Sequence, residues 1–182
     1  MNVAEWLAAS ARLRPDAPAL LTGFDLDADY ATFARRAAAI GAALSRDHGI
    51  AQGDRVALFA TNCTQYLECL YGIWWIGAVA IPINAKLHGR EAAWICGDAG
   101  AKLTFVSDDT IAALLEAKSE LPAAMITRSM DGSAFRKMRD GEGAPMPPAI
   151  RQRSLECPLT VRAATSRARA AKRNLPPPRR PC

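Results

Sequence analysis

No metal-ligand spacing runs through this chain of 182 residues, and no C-x-x-C pair occurs in it. Its five cysteines (Cys63, Cys69, Cys96, Cys157 and Cys182) are odd in number. That argues against a disulfide framework or a structural zinc site and fits a reducing cytoplasm, with Cys63, Cys69 and Cys96 as small buried apolar residues. Histidine is nearly absent. His48 and His88 have no serine and aspartate arranged around them as a triad, so surface or capping roles are expected, and His88 stands just before a helix start. Two-carboxylate chemistry has only Asp108 and Asp109 to offer, and adjacent acids ahead of "TIAALLEAK" read as helix-start charges. "DGEG" (140–143) contains a G-x-G without a strand before it or a helix after it, so it reads as a loop and not a nucleotide fingerprint. No catalytic, cofactor-binding or metal residue is therefore assigned.

Long apolar runs are missing as well. The nearest approach is "YGIWWIGAVAIPINAKL" (71–87), within a stretch of 17 uncharged residues from Cys69 to Ala85. About 20 continuous apolar residues are needed to cross a bilayer as a helix, and Gly72, Gly77 and Pro82 interrupt this one. It reads instead as a buried helix ending near Gly77, followed by a core strand. Trp74 and Trp75 cannot share one helix face, so one of them is expected at a subdomain boundary or pocket rim unless both simply pack in the core. The opening "MNVAEWLAASARLRPDAPALL" has no basic leader ahead of an apolar run, which is not the pattern of a secretory signal.

What is present is ordinary globular composition, 50% hydrophobic and 23% charged, in a chain long enough for one domain or part of a larger one. The net charge of +5 divides unevenly. Residues 1–150 hold 14 Lys/Arg against 17 Asp/Glu, a net of −3, while residues 151–182 hold 9 against 1, a net of +8. That basic segment has five prolines, no aromatic residue and no apolar period. It buries too little surface to offset its ordering entropy, and disorder is expected. The chain thus divides into a body, 1–148, and an Arg/Pro/Ala-rich tail, 149–182.

Along the body, helical and strand patterns alternate. Residues 2–12 form a helix pattern with Val3, Trp6, Leu7 and Leu13 on one side, stopped by Pro15. "PALL" (18–21) reads as a short strand. "ATFARRAAAIGAALSRD" places Phe33, Ala37, Ile40 and Leu44 at helical spacing, with Asp25, Asp27 and Asp29 upstream where a helix start favours negative charge. After the turn "GIAQGD" come a strand at 55–60, a helix capped by Asn62 or Thr64, and a strand at 78–83. "GREAAWICGDAG" is a helix closed by glycine, "KLTFVS" a strand, "DDTIAALLEAK" an Asp-capped helix and "AAMITRS" a further strand. Such alternation predicts an α/β fold: a mostly parallel sheet with helices on both faces.

The stretch "GIAQGDRVALFATNCTQYLECLYGIWWIGAVAIPINAKLHGREAAWICGDAGAKLTFVS" resembles the early region of the AMP-forming acyl-CoA synthetases, within the wider adenylate-forming superfamily. The matching pieces are Gly49–Ala57, Asn62–Gly72, Gly77–Asn84 and Gly100–Leu103, with "ARLRPDAPAL" and "DYATFARRAAAIGAAL" fitting the family's opening. The resemblance covers roughly residues 3 to 148. It implies a ligase that activates a carboxylic (fatty) acid with ATP to an acyl-adenylate and passes it to coenzyme A, so that ATP, Mg²⁺ and coenzyme A are the cofactors of the intact family. It also implies a phosphate loop reading roughly T-S-G-T-T-G-x-P-K-G shortly after residue 150, where this chain has "LTVRAATSRARAAKRN". None of the family's catalytic positions can be placed on these residues. The expectation is an N-terminal part of the synthetase, inactive alone.

The Arg, Ala and Pro alphabet of the tail is what a GC-rich gene gives when read out of frame, with the change between about Pro148 and Pro158. A second class of function is a non-enzymatic module whose basic tail contacts nucleic acid or anionic surfaces without sequence preference. A parallel sheet cut partway is also expected to leave an exposed edge, a route by which copies can self-associate.

Overall fold

The computed structural model describes residues 2–145. The expectations for the tail, for Cys157 and Cys182, and for the body's last residues to 148 lie outside that span. The chain opens with α1 (Ala4–Leu13), started by Asn2, whose Oδ1 accepts the Ala4 N–H at 3.0 Å while its Nδ2 donates to the Trp74 carbonyl at 2.7 Å. The buried residues of α1 are Ala4, Leu7 and Ala8; Trp6 (61%) and Leu13 (80%) are exposed, contrary to the sequence expectation. Small alanines let α1 lie close on its neighbours, a fit that a tryptophan on the same face would prevent.

β1 (Pro18–Thr22) and β2 (Asp25–Asp29) form an antiparallel hairpin around Gly23, whose φ of 63° suits glycine. The aspartates expected as helix-start charges are therefore mostly strand residues. Only Asp29 serves α2 (Tyr30–His48), its carboxylate accepting the Thr32 N–H at 2.7 Å. Gly49, at φ 64°, ends that helix. Between its ends Phe33, Ala37, Ile40 and Leu44 are buried as their spacing predicts.

The main sheet contains β3 (Arg55–Phe59), β4 (Val79–Ile83), β5 (Leu103–Val106) and β6 (Ile126–Ser129), parallel throughout, in the order β4-β3-β5-β6. Strand periodicity sorts its two faces. Val56, Leu58, Leu103 and Phe105 pack with Ile40, Leu44 and Ile73 under α2 and α3 (Thr64–Trp75). Ala57, Phe59 and Val106 pack with Ala92, Ala93, Cys96 and Leu114 under α4 (Gly89–Asp98) and α5 (Asp108–Glu116). A 3₁₀ turn (Lys118–Glu120) leads to β6, and α6 (Ser133–Arg139) returns with Phe135 set edge-on to Phe105. The parallel α/β architecture with helices on both faces is as the alternation predicted.

β4 departs from expectation. It lies at one edge of the sheet, with Val79 41% exposed, and is not a core strand. The Val79 N–H donates to the Asp54 carbonyl at 2.7 Å, so by alternation positions 80 and 82 face outward. Pro82 therefore stands where an absent N–H costs nothing, and it blunts the edge against further pairing. At β6 the Ile126 and Met130 amides donate inward, to the Lys102 and Val106 carbonyls, so the Thr127 and Ser129 amides face out. Among the described residues this edge carries no proline.

"YGIWWIG" ends α3 and turns at Gly77 (φ 73°) into β4. Trp75 packs in the interior, and Trp74 is half-buried against the same cluster. Trp75 is 7% exposed, and Trp74 meets the Tyr71 ring edge-on at 5.2 Å, which in turn meets Phe33 at 5.1 Å. The helix start is capped by neither Asn62 nor Thr64: Cys63 is the N-cap residue and makes no side-chain cap bond. α3 crosses α2 at Gly41 and Gly72, where a Cβ on Gly72 would stand 2.8 Å from Ile40 Cγ2. Among the described residues no helix is long and apolar enough to cross a membrane.

Candidate functional site

In the strand order β4-β3-β5-β6, the connection after β3 leaves toward one neighbour and that after β4 returns past β3 to β5. The connecting helices α3 and α4 lie on opposite faces of the sheet. Open parallel sheets wound this way place ligands beyond the carboxyl ends of their strands, where the winding reverses. Here those ends are Ala60–Cys63 after β3, Asn84–Lys86 after β4, Ser107–Asp109 after β5 and Met130–Asp131 after β6.

Hydrogen bonds staple three of these ends together. The Thr61 N–H donates to Ser107 Oγ at 3.2 Å and its hydroxyl to Asp109 Oδ2 at 3.4 Å. The Asp108 N–H donates to Asp131 Oδ2 at 2.8 Å, and Ser129 Oγ to Asp108 Oδ1 at 3.4 Å. Thr110, 2% exposed, donates to the Phe59 carbonyl at 2.6 Å and accepts the Ser107 N–H at 3.1 Å. The N-cap of α5 is thus Ser107 and not an aspartate; Asp108 and Asp109 occupy its first turn, as helix-start charges should. Thr110→Val should cost about 2 kcal/mol, because it leaves the buried Phe59 carbonyl and Ser107 amide short of partners. A urea melt of the variant checks this.

A cleft of about 400 Å³ opens between the ends of β3 and β4. Thr61, Asn62, Tyr66, Asn84 and Lys86 give it one cation, two side-chain amides and two hydroxyls. Asn84 Oδ1 accepts the Lys86 N–H at 3.0 Å and fixes the turn. Burial raises the Tyr66 phenol above its ordinary value, so it is a neutral donor at neutral pH. Such a set can orient a polar or anionic group. It contains no nucleophile with an adjacent base, so the chemistry it offers is binding.

The candidates read from the sequence hold their structural roles. His88 Nδ1 accepts the Arg90 N–H at 3.2 Å while the His88 N–H donates to Glu91 Oε2 at 3.0 Å, which caps α4. His48 closes α2, and its Nε2 accepts from Arg128 Nε at 3.4 Å; burial, then Arg128, hold its pKa below the ordinary value. Cys69 and Cys96 are buried and Cys63 partly so, and burial pushes all three thiols up, which leaves them protonated and unreactive.

Sequence reading missed Glu68. Its side chain is 1% exposed in the α2–α3 interface, with Oε1 2.8 Å from Arg36 Nη1, and Arg36 lies 3.8 Å from Asp27. A buried, perturbed carboxylate is a candidate functional group in principle, yet a dedicated arginine and a place between two packed helices make it a tie between elements. Its only sequence signal is a lone acid on an otherwise apolar helix.

The family model described as "AMP-binding enzyme" matches residues 7–172. Over 59 residues the chain is 46% identical to the crotonobetaine/carnitine–CoA ligase of Salmonella paratyphi B, a match covering 32% of this chain and 11% of that one. Among solved structures it is similar to the N-terminal domain of FACL13 from Mycobacterium tuberculosis, with a TM-score of 0.73, 26% identity, and 84% of this chain against 39% of that one. A fatty acyl CoA synthetase from the same organism matches with a TM-score of 0.70 and 25% identity, over 82% of this chain and 30% of its own. The chain spans well under half the length of these relatives. A family match across nearly the whole sequence means that this chain belongs to the AMP-binding enzyme family.

Proposed function

We propose that these residues form the N-terminal part of a cytoplasmic acid–thiol ligase, which joins a carboxylic acid to coenzyme A through an acyl-adenylate. The family match over residues 7–172 carries this reading, and the order of the sequence motifs supports it. Two of the relatives named above are a CoA ligase and a fatty acyl CoA synthetase.

The described residues do not fit a magnesium-bound triphosphate. That chemistry needs a run of backbone N–H groups and a lysine around the phosphates, and the cleft at β3 and β4 brings Lys86 alone without a glycine-rich loop. No adenylation step is derived from this chain. Its part in the ligase is scaffolding: a sheet whose carboxyl ends present one wall of a site completed by other residues. A chimera carrying residues 1–145 in place of the equivalent part of an active CoA ligase tests this. Acid-dependent pyrophosphate release is expected; a chimera that folds, by circular dichroism, yet releases none would refute the assignment.

The tail is proposed to be read out of frame. Its composition supports this, while the family match continues to residue 172. Translating the gene in its other two frames decides the matter: a T-S-G-T-T-G-like loop followed by continuing ligase sequence is expected, and its absence from both ends the idea. The alternative reading, a binder of nucleic acid or anionic surfaces, rests on the +8 of residues 151–182. It requires steeply salt-dependent binding that disappears when those residues are deleted.

A further inference from the structure

The "DGEG" stretch has no part in the ligase reading, but it is held in a specific way. After α6 the chain turns back across α2. The Ala144 N–H donates to the carbonyl of Ala38, in the middle of that helix, at 3.2 Å. A helical carbonyl has a second lone pair for such a bond. The Ala144 carbonyl in turn accepts from Trp75 Nε1, at the end of α3, at 3.1 Å. One residue is thus pinned to both helices at their seam.

Two glycines permit this approach. A Cβ on Gly143 would stand 3.1 Å from Ala38 Cβ, and one on Gly141 would stand 3.1 Å from the Lys137 carbonyl oxygen. At its start Arg139 Nε pairs with the adjacent Asp140 at 3.1 Å. The rest of the segment is solvent-facing, with Asp140, Gly141 and Glu142 exposed. Few buried contacts therefore oppose its opening, and such segments open locally at a fraction of the global unfolding free energy.

We propose that residues 140–145 are a conformational latch, closed by the Trp75–Ala144–Ala38 bonds, that fastens the chain's exit from the body to the α2–α3 seam and opens without unfolding the sheet. Opening frees the Trp75 indole N–H and the Ala38 carbonyl together and leaves the chain at Pro145 unfastened.

A glutamate-specific protease reads this directly in the full chain, because Glu142 lies inside the latch. Trp75→Phe keeps an aromatic ring and deletes the donor. It is expected to speed cleavage after Glu142 roughly fivefold, the value of one net hydrogen bond. The smaller ring also lowers the thermal midpoint, because Trp75 is buried in a core cluster; cleavage after the buried Glu68 reports that global loosening separately. Gly143→Val, which drives a side chain against Ala38, serves if Trp75→Phe fails to fold and is read by hydrogen exchange, because it alters the residue that follows Glu142. Hydrogen exchange gives the second readout: the Ala144 amide should be protected in the parent and lose most of that protection in either variant. An Ala144 amide that exchanges freely in the parent, one equally protected in parent and folded variants, or cleavage after Glu142 at equal rates in parent and folded Trp75→Phe, would overturn the latch.

Discussion

Gly89→Ala should destabilise this protein by on the order of 3 kcal/mol, although it adds one methyl group near a helix start. A Cβ built on Gly89 overlaps the Ala113 carbonyl oxygen outright and lies 2.5 Å from the carbonyl carbon. Both are backbone atoms of α5, so no side chain can swing aside. Relief requires α4 and α5 to separate, and with them the cluster of Ala92, Ala93, Cys96 and Leu114 that covers one face of the sheet. Gly97, in the same helix, is the control. Nothing lies within 4 Å of its added Cβ, so Gly97→Ala should stabilise by about 1 kcal/mol through helix propensity. Urea melts of the two variants, moving in opposite directions, separate packing from propensity.

Arg36→Ala should be comparably severe, about 3 kcal/mol or more at neutral pH, because it strands a buried carboxylate. Glu68 is held in opposition. Burial pushes its carboxyl above the ordinary 4.5, and the Arg36 hydrogen bond and charge pull it back. Since the folded-state value exceeds the unfolded one, the folded protein keeps the proton longer as pH rises. The stability Glu68 contributes is therefore fully present below about 4.5 and is lost as pH climbs through the raised value. Arg36→Ala moves that loss to higher pH, and Glu68→Gln removes it. The partnered aspartates Asp29, Asp54 and Asp140, all held below 3.8, act with the opposite sign and at lower pH. Chemical denaturation of parent and both variants between pH 4 and 8 measures the three curves. A Glu68→Gln variant that kept the parent's slope above 4.5 would remove Glu68 from the account.

How much of this was legible without coordinates depended on how local the cause was. Strands β3 and β5 announce themselves as bounded apolar runs, and α2 by the spacing of Phe33, Ala37, Ile40 and Leu44. The edge position of β4 is not written in "AVAIPI", which looks the same at an edge as in the middle of a sheet. Pro82 was the available clue, since a proline with no ladder bond to give belongs on an edge. β2 was missed because Asp25, Asp27 and Asp29 look like helix-start charges, while hairpin pairing with β1 is a non-local cause. The N-cap at Cys63 makes no side-chain bond and depends on backbone geometry alone, whereas Ser107 is a favoured cap residue whose place is shared in the sequence by the equally favoured Asp108. The carboxyl-end cleft and the Glu68–Arg36 pair join residues from different elements, far apart in the chain. Only topology brings them together.

We propose that the described residues supply scaffold for an AMP-binding ligase and not the groups that adenylate its acid. The most direct test is pyrophosphate release by the purified 182-residue protein, given ATP, Mg²⁺ and a panel of short, long and aromatic carboxylic acids, with and without coenzyme A. The expected result is release indistinguishable from the protein-free blank for every acid. Acid-dependent turnover by this chain alone would contradict the account.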